Sequence, residues 1–195
     1  VEIDSRAYLK GITPDGKLAP IDYVSVVPGG GNGQLMQLAL AQHAKPEPLV
    51  STRFDEYGGR WSPDRRWLAY MSDESGRPEI YVRGTSSGGG RWQISTTGGD
   101  EPYWSRDGRE LYYRNESRLM VVALDTSTTF KPGTPMVLFD GVYNLRSDTG
   151  ISYDLHPRGD RFLMVRLTDE NVASTITVVM NWFADLKRST SSAPR

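Results

Sequence analysis

The sequence predicts an all-β chain: a β-propeller of about four four-stranded antiparallel blades, either a whole ring or part of a larger one, with a short C-terminal helix. Three observations carry this. A turn motif recurs as Thr13-Pro14-Asp15-Gly16-Lys17, Trp61-Ser62-Pro63-Asp64-Arg65-Arg66, Trp104-Ser105-Arg106-Asp107-Gly108-Arg109 and, degraded, His156-Pro157-Arg158-Gly159-Asp160-Arg161. The equivalent points Pro14, Pro63, Arg106 and Pro157 lie 49, 43 and 51 residues apart, near the forty-odd residues of one propeller blade. Strand-like runs follow each turn at a matching offset.

Taken in order, the blades fall near residues 12–50, 51–95, 96–139 and 140–180. Each turn combines a proline or equivalent, an aspartate able to bond its own backbone, and a glycine for positive φ. The runs after it, Trp67–Met71, Glu110–Arg114 and Arg161–Val165, are aromatic or β-branched; Ile21–Val27 in the first copy fits less well. A second strand then follows in each copy: Gln34–Leu40, Glu79–Arg83, Arg118–Ala123 and Thr175–Met180. The outer strands Arg91–Ser95 and Pro135–Phe139 are shorter and more polar, as expected where a blade edge meets water. Two glycine-rich stretches, 27–33 and 84–90, read as hairpin connections inside a single domain. At 181–188, Trp182, Phe183 and Leu186 share a helical face, and 189–195 is a polar tail with the composition of disorder.

Composition narrows the function classes. With 23 basic and 24 acidic residues the chain lacks the basic footprint of a nucleic-acid binder. No apolar run approaches the length of a membrane span, so no membrane insertion is expected, and the polar start Val1–Arg6 does not read as a signal segment. The absence of cysteine removes disulfides and thiolate chemistry.

With the repeats in register, Phe54–Arg83 resembles the TolB-type, WD40-like (PD40) β-propeller family. More narrowly, Trp61-Ser62-Pro63-Asp64, Asp73–Arg83, Gly99–Gly108 and Asn181-Trp182-Phe183 resemble the C-terminal propeller part of bacterial serine/threonine protein kinases. The resemblance covers about residues 30–188 and implies a sensor or interaction module, extracytoplasmic or periplasmic in a bacterium, for a protein or small ligand. It carries no kinase activity, because the glycine-rich loop, His-Arg-Asp and Asp-Phe-Gly signatures are missing. Arg65 stands where the family has a turn glycine, and Pro157-Arg158-Gly159-Asp160 departs from the pattern, so altered turn geometry is expected at both.

Several constellations compete with a binding role. Gly84-Thr85-Ser86-Ser87-Gly88 fits Gly-x-Ser-x-Gly, which would make Ser86 the nucleophile of a small serine ester hydrolase, His156 its base and Asp100 or Asp154 the orienting acid. A nucleophile elbow needs a strand entering a helix, whereas here a strand follows, so a hairpin loop is the favoured reading. His156 reads as a turn residue standing where other copies have serine or threonine. Asp55 and Asp100 both precede an innermost strand; at equivalent positions they would converge on the central channel and could hold calcium, as in a metal-dependent propeller hydrolase or lactonase. The other acidic pairs, Asp73-Glu74 and Asp169-Glu170, read as turn and blade-contact residues. Trp61 and Trp104, with Asp64 and Asp107, share repeat positions and are read as structural, the tryptophans packing between blades. Arg53, Arg60, Arg65, Arg66 and Arg77 are interleaved with acids and read as a solvated, salt-bridged face.

If the blades do not close on themselves, their bare edge strands should pair two copies of the chain. A scattering profile of a monomer with long exposed edges counts against that homodimer.

Overall fold

The computed structural model describes residues 5–13, 15–25, 33–86, 89–127, 129–141, 143, 152–166 and 175–180. The expected helix at 181–188 and the tail lie outside these residues. Four antiparallel sheets follow one another along the chain. The first contains β1 (Ser5–Leu9), β2 (Leu18–Ser25), β3 (Gln34–Ala39) and β4 (Glu47–Val50), in that spatial order. The second contains β5 (Glu56–Trp61), β6 (Trp67–Ser72), β7 (Glu79–Gly84) and β8 (Arg91–Gln93). In the third, β9 (Asp100–Trp104), β10 (Glu110–Asn115) and β11 (Arg118–Asp125) are flanked by β12 (Lys131–Pro132) and β13 (Met136–Asp140), both paired with β11. The fourth is described as β14 (Tyr153–Leu155), β15 (Arg161–Arg166) and β16 (Thr175–Met180).

The recurring motif is the hairpin between the first and second strands of each sheet. In the second sheet the Ser62 hydroxyl donates to Asp64 Oδ1 at 2.6 Å and accepts the Trp67 N–H at 3.0 Å, while Asp64 Oδ1 accepts the Arg66 N–H at 3.1 Å. Thr13 with Asp15, and Ser105 with Asp107, repeat the same bonds within about 0.1 Å. The residue three beyond the hydroxyl is left-handed in every copy: Gly16 (φ 69°), Arg65 (61°), Gly108 (71°) and Gly159 (74°). Arg65 therefore keeps the turn that its side chain was expected to alter, despite the cost of left-handed backbone for a residue with a Cβ. In the fourth copy the backbone turn also survives, His156 N–H to Arg161 O at 2.9 Å and Gly159 N–H to His156 O at 2.7 Å. Its side-chain lock differs: His156 Nδ1 accepts the N–H two residues on, that of Arg158 at 3.2 Å, where the hydroxyls accept the N–H five residues on.

Successive sheets pack face to face over separate apolar layers. Leu35 and Val50 meet Leu68, Tyr70 and Tyr81 between the first two sheets. Ala69, Ile80 and Val82 meet Trp104, Leu111, Tyr113 and Val122 between the second and third. Tyr112, Leu119 and Val121 meet Tyr153, Leu155, Phe162 and Met164 between the third and fourth. The residue just before each turn packs back onto the preceding sheet. Trp104 is 5% exposed and Leu155 8%, whereas Ile12, with no earlier sheet among the described residues, is 58% exposed. Trp61 is half-buried against the layer between the first and second sheets. The two tryptophans thus share a position but not a degree of burial.

Trp104→Ala is expected to destabilise the fold by about 3–5 kcal/mol, the usual range for emptying a buried aromatic site. Trp61→Ala should lose distinctly less. Denaturant titration of the two variants compares them directly, and equal losses would contradict the packing described.

Candidate functional site

Two residues before each turn, the inner strands place Gly11, Arg60, Tyr103 and Asp154. The register confirms the equivalence: Arg60 pairs with Ala69, Tyr103 with Tyr112 and Asp154 with Leu163, each two residues beyond the turn's closing bond. These four positions touch in chain order. A Cβ at Gly11 would stand 2.9 Å from Arg60 Nη1, the Arg60 guanidinium lies 5.3 Å from the Tyr103 ring centroid, and the Tyr103 hydroxyl donates to Asp154 Oδ1 at 3.1 Å. The Trp104 indole N–H donates to the Arg60 carbonyl at 2.9 Å, fixing the backbone that carries the guanidinium.

The glycine in the first copy lets the Arg60 guanidinium pack close to the backbone, and beside it the space is open. It forms a cleft of about 290 Å³ across the first three sheets, with Ile12, Trp61 and Trp104 around Arg60 and Tyr103 and with Lys10 and Arg106 also on its wall. Lys10 is neutralised by Asp22 at 2.9 Å, both nearly buried, and Asp22 also accepts the Gly58 N–H at 2.9 Å. Burial raises the Asp22 pKa against the opposing pull of Lys10. Arg106 donates to the Pro157 carbonyl. Arg60 differs: it makes no hydrogen bond or ion pair among the described residues, and its Nε is shielded from solvent without a partner. Burial lowers its pKa, offset in part by Tyr103, Tyr153, Asp154 and Asp22. The expected salt-bridged face is therefore corrected at this position. Arg65 pairs with Asp15, Arg66 with Asp64 and Arg77 with Glu79, but Arg60 turns inward to the cleft.

The residues singled out for hydrolysis are not brought together. Ser86 sits on the hairpin from β7 to β8, where the Gly84 and Gly89 backbones approach too closely for a Cβ at either. The chain there runs from strand to strand, without the helix that an elbow requires. Ser86 borders a separate cleft of about 380 Å³ beside Trp67, Trp92 and Phe130. His156 belongs to the fourth sheet's turn, its Nδ1 3.1 Å from Asp160, and no hydrogen bond joins it to Ser86. Asp154 is bonded to Tyr103, and Asp100 Oδ1 accepts the Glu101 N–H at 2.7 Å.

The calcium candidates Asp55 and Asp100 are not equivalent positions. Tyr57 pairs with Met71 as Asp100 pairs with Arg114, each partner four residues into the second strand, so Asp100 corresponds to Tyr57 and Asp55 lies two residues earlier. Both inner strands carry a bulge at the same place, left-handed Gly58 and Glu101, so the bulges preserve this correspondence. Asp55 Oδ1 instead accepts the Gly33 N–H at 2.7 Å, and its own N–H donates to Asp73 at 2.9 Å. Among the described residues no group of three or more His, Cys, Asp or Glu is placed to hold a metal ion.

Two buried glutamates lie nearby. Glu101 Oε2 accepts the Ser152 N–H at 2.9 Å and hydroxyl at 2.7 Å, tying the third sheet to the fourth. Glu56 accepts the Thr52 hydroxyl through one oxygen, and the other is buried without a partner. Burial raises both pKa values. A raised carboxyl pKa contributes stability that is complete below the unfolded value, 4.5 for Glu56, and is lost as pH rises through the folded value. Glu56→Gln should therefore be more stable than wild type at pH 7, the gap closing below pH 4.5. Melting curves across that range test this, and a gap that widens in acid contradicts it.

Comparison with known proteins gives the fold a reference. No protein-family model and no curated protein matches the chain. Among solved structures it is similar to TolB from Acinetobacter baumannii, with a TM-score of 0.67 and 18% identity, over 92% of this chain and 42% of that one. It is also similar to a putative TolB from Agrobacterium tumefaciens, with a TM-score of 0.63 and 21% identity, over 88% of this chain and 60% of that one. The periplasmic gluconolactonase of Pseudomonas aeruginosa matches with a TM-score of 0.52 and 16% identity, over 89% of this chain and 52% of that one. The chain thus spans about half the length of the structures it resembles. Four consecutive antiparallel sheets with these neighbours give the chain the fold of a TolB-like β-propeller.

Proposed function

We propose that the chain is a noncatalytic binding module of the sensor type, which takes a protein segment or small ligand in the axial cleft. One observation carries the reading: a cleft across three sheets brings together Trp61, Tyr103, Trp104 and an Arg60 guanidinium that has no hydrogen bond or ion pair among the described residues. The cleft exposes aromatic faces and a cation held by rigid strands. Concave, mostly apolar sites with a few placed polar groups are the usual form of ligand pockets, and this cleft sits at their small end, roughly 300 Å³. The likeness of Trp61–Asp64, Asp73–Arg83, Gly99–Gly108 and Asn181–Phe183 to propellers of bacterial serine/threonine kinases supports a place within a signalling protein. The TolB and periplasmic gluconolactonase neighbours support an extracytoplasmic setting.

A metal-dependent lactonase is the second reading, favoured by the gluconolactonase likeness alone. Gluconolactone hydrolysis that chelator abolishes would establish it. The serine esterase reading has no geometric support, since Ser86 and His156 belong to different sheets without a bond between them.

Because the chain lacks cysteine, Ile12→Cys creates a unique thiol on the cleft wall that a bulky maleimide can occupy. Fragments found to bind the wild type by ligand-observed NMR should be displaced by the label at Ile12. A label at exposed Leu163 in the fourth sheet should leave them bound. Binding that survives the Ile12 label would move the site elsewhere.

A further inference from the structure

We infer that the axial cleft recognises a small organic monocarboxylate, whose carboxylate pairs with the Arg60 guanidinium while its apolar or ring body lies against Trp61 and Ile12. The inference rests on the cleft being the ligand site and adds the chemical class of the ligand.

Arg60 is the reason. A cation partly withdrawn from water is costly unless paired, and folded proteins ordinarily supply the partner themselves. Other arginines of this sheet have theirs: Arg65 reaches Asp15 at 2.6 Å, Arg66 reaches Asp64 at 2.7 Å and Arg77 reaches Glu79 at 2.8 Å. Arg60 has neither a hydrogen bond nor an ion pair among the described residues, yet its Nε is shielded from water. The two carboxylates whose fields reach it are already engaged. Asp22 holds Lys10 and the Gly58 N–H, and Asp154 holds the Tyr103 hydroxyl and the Leu155 N–H at 2.8 Å. One flank of the guanidinium lies toward the Tyr103 ring, 5.3 Å from its centroid, Nη1 packs against Gly11, where a Cβ would stand 2.9 Å away, and the side chain lines the cleft. A guanidinium on the cleft wall without an internal anion is the group that planar carboxylates pair with best.

The same surroundings favour one negative charge over two. Asp22 and Asp154 act on Arg60 as attractive charges, so they would repel an anion seated on it, and a phosphate dianion would feel that repulsion more than a carboxylate. Beyond the guanidinium the wall is Ile12, Pro20, Trp61 and Pro63, which offers burial to an apolar or flat body and few further hydrogen bonds.

The test compares phenylacetate, phenylacetamide and phenyl phosphate as probes, by calorimetry and by the indole N–H signals of Trp61 and Trp104. Phenylacetate should bind at least tenfold more tightly than the amide and more tightly than the phosphate, shifting both indole signals. Arg60→Gln should lose at least tenfold for phenylacetate, leave the amide unchanged and melt no lower than wild type, because no partner is orphaned. Arg60→Lys should retain part of the preference. Equal binding of acid and amide, or a preference that persists in Arg60→Gln, overturns the carboxylate assignment while leaving the cleft as a site. Tighter phenyl phosphate binding overturns the monocarboxylate class, and no shift at either indole with any probe overturns the proposal. The Ile12 label decides separately whether other ligands use the cleft.

Discussion

A hydroxyl and an aspartate lock the first hairpin in three of the four sheets, and the placement of nearly everything else follows from that lock. The hydroxyl accepts the N–H five residues on and donates to the aspartate, which in turn accepts the N–H two residues beyond itself. With both ends of the turn bonded, the strand entering it has no freedom of register. The residue just before the hydroxyl must face the preceding sheet and the one before that must face the axis, because neighbours on a strand point to opposite sides. One turn thus specifies both a core position, filled by Trp61, Trp104 and Leu155, and an axial position, filled by Arg60, Tyr103 and Asp154. Its tolerance is instructive: Arg65 and His156 replace residues suited to the turn, and the backbone hairpin persists in both cases.

The two positions have opposite energetic characters. Core residues are stabilised by apolar burial and by packing between sheets, as at Trp104. Axial residues are polar, and their stability depends on finding partners across the axis. Tyr103 and Asp154 satisfy one another, but the glycine at position 11 supplies nothing to Arg60. Residues held under such unpaired strain are what binding sites retain against the interest of stability. The missing side chain at Gly11 instead lets Arg60 Nη1 pack against the backbone, where a Cβ would stand 2.9 Å away.

Much of the fold was legible in the sequence because turn chemistry and alternation are local signals. The strands after each turn begin within about one residue of the expected runs in the later copies, as at Trp67, Glu110 and Arg161. Burial was less legible. Trp61 and Trp104 look alike in sequence, yet what covers each is decided by the neighbouring sheet. The site was legible only in part. Arg60 was grouped with nearby arginines and acids by linear proximity, which fails on a strand whose adjacent residues diverge. Counting back from each turn hydroxyl would have aligned Gly11, Arg60, Tyr103 and Asp154 and exposed the break in the row. The same count separates Asp55, seven residues before its turn hydroxyl, from Asp100, five before its own, whereas their shared place ahead of an inner strand makes them look equivalent.

The layered cores bear on how a ligand would act. Among the described residues each apolar layer joins two successive sheets, so these contacts are between nearest neighbours and no single core spans them. The cleft is different, since its wall draws Ile12 from the first sheet, Arg60 and Trp61 from the second, and Tyr103 and Trp104 from the third. A ligand seated there touches both layers at their axial ends and is stabilised only while all three sheets keep their relative positions. By mass action its binding free energy is added to the docking of the sheets, not to any one of them. A site of this kind converts occupancy into rigidity of the blade array, and that is the physical property a sensor built on a propeller has available to transmit.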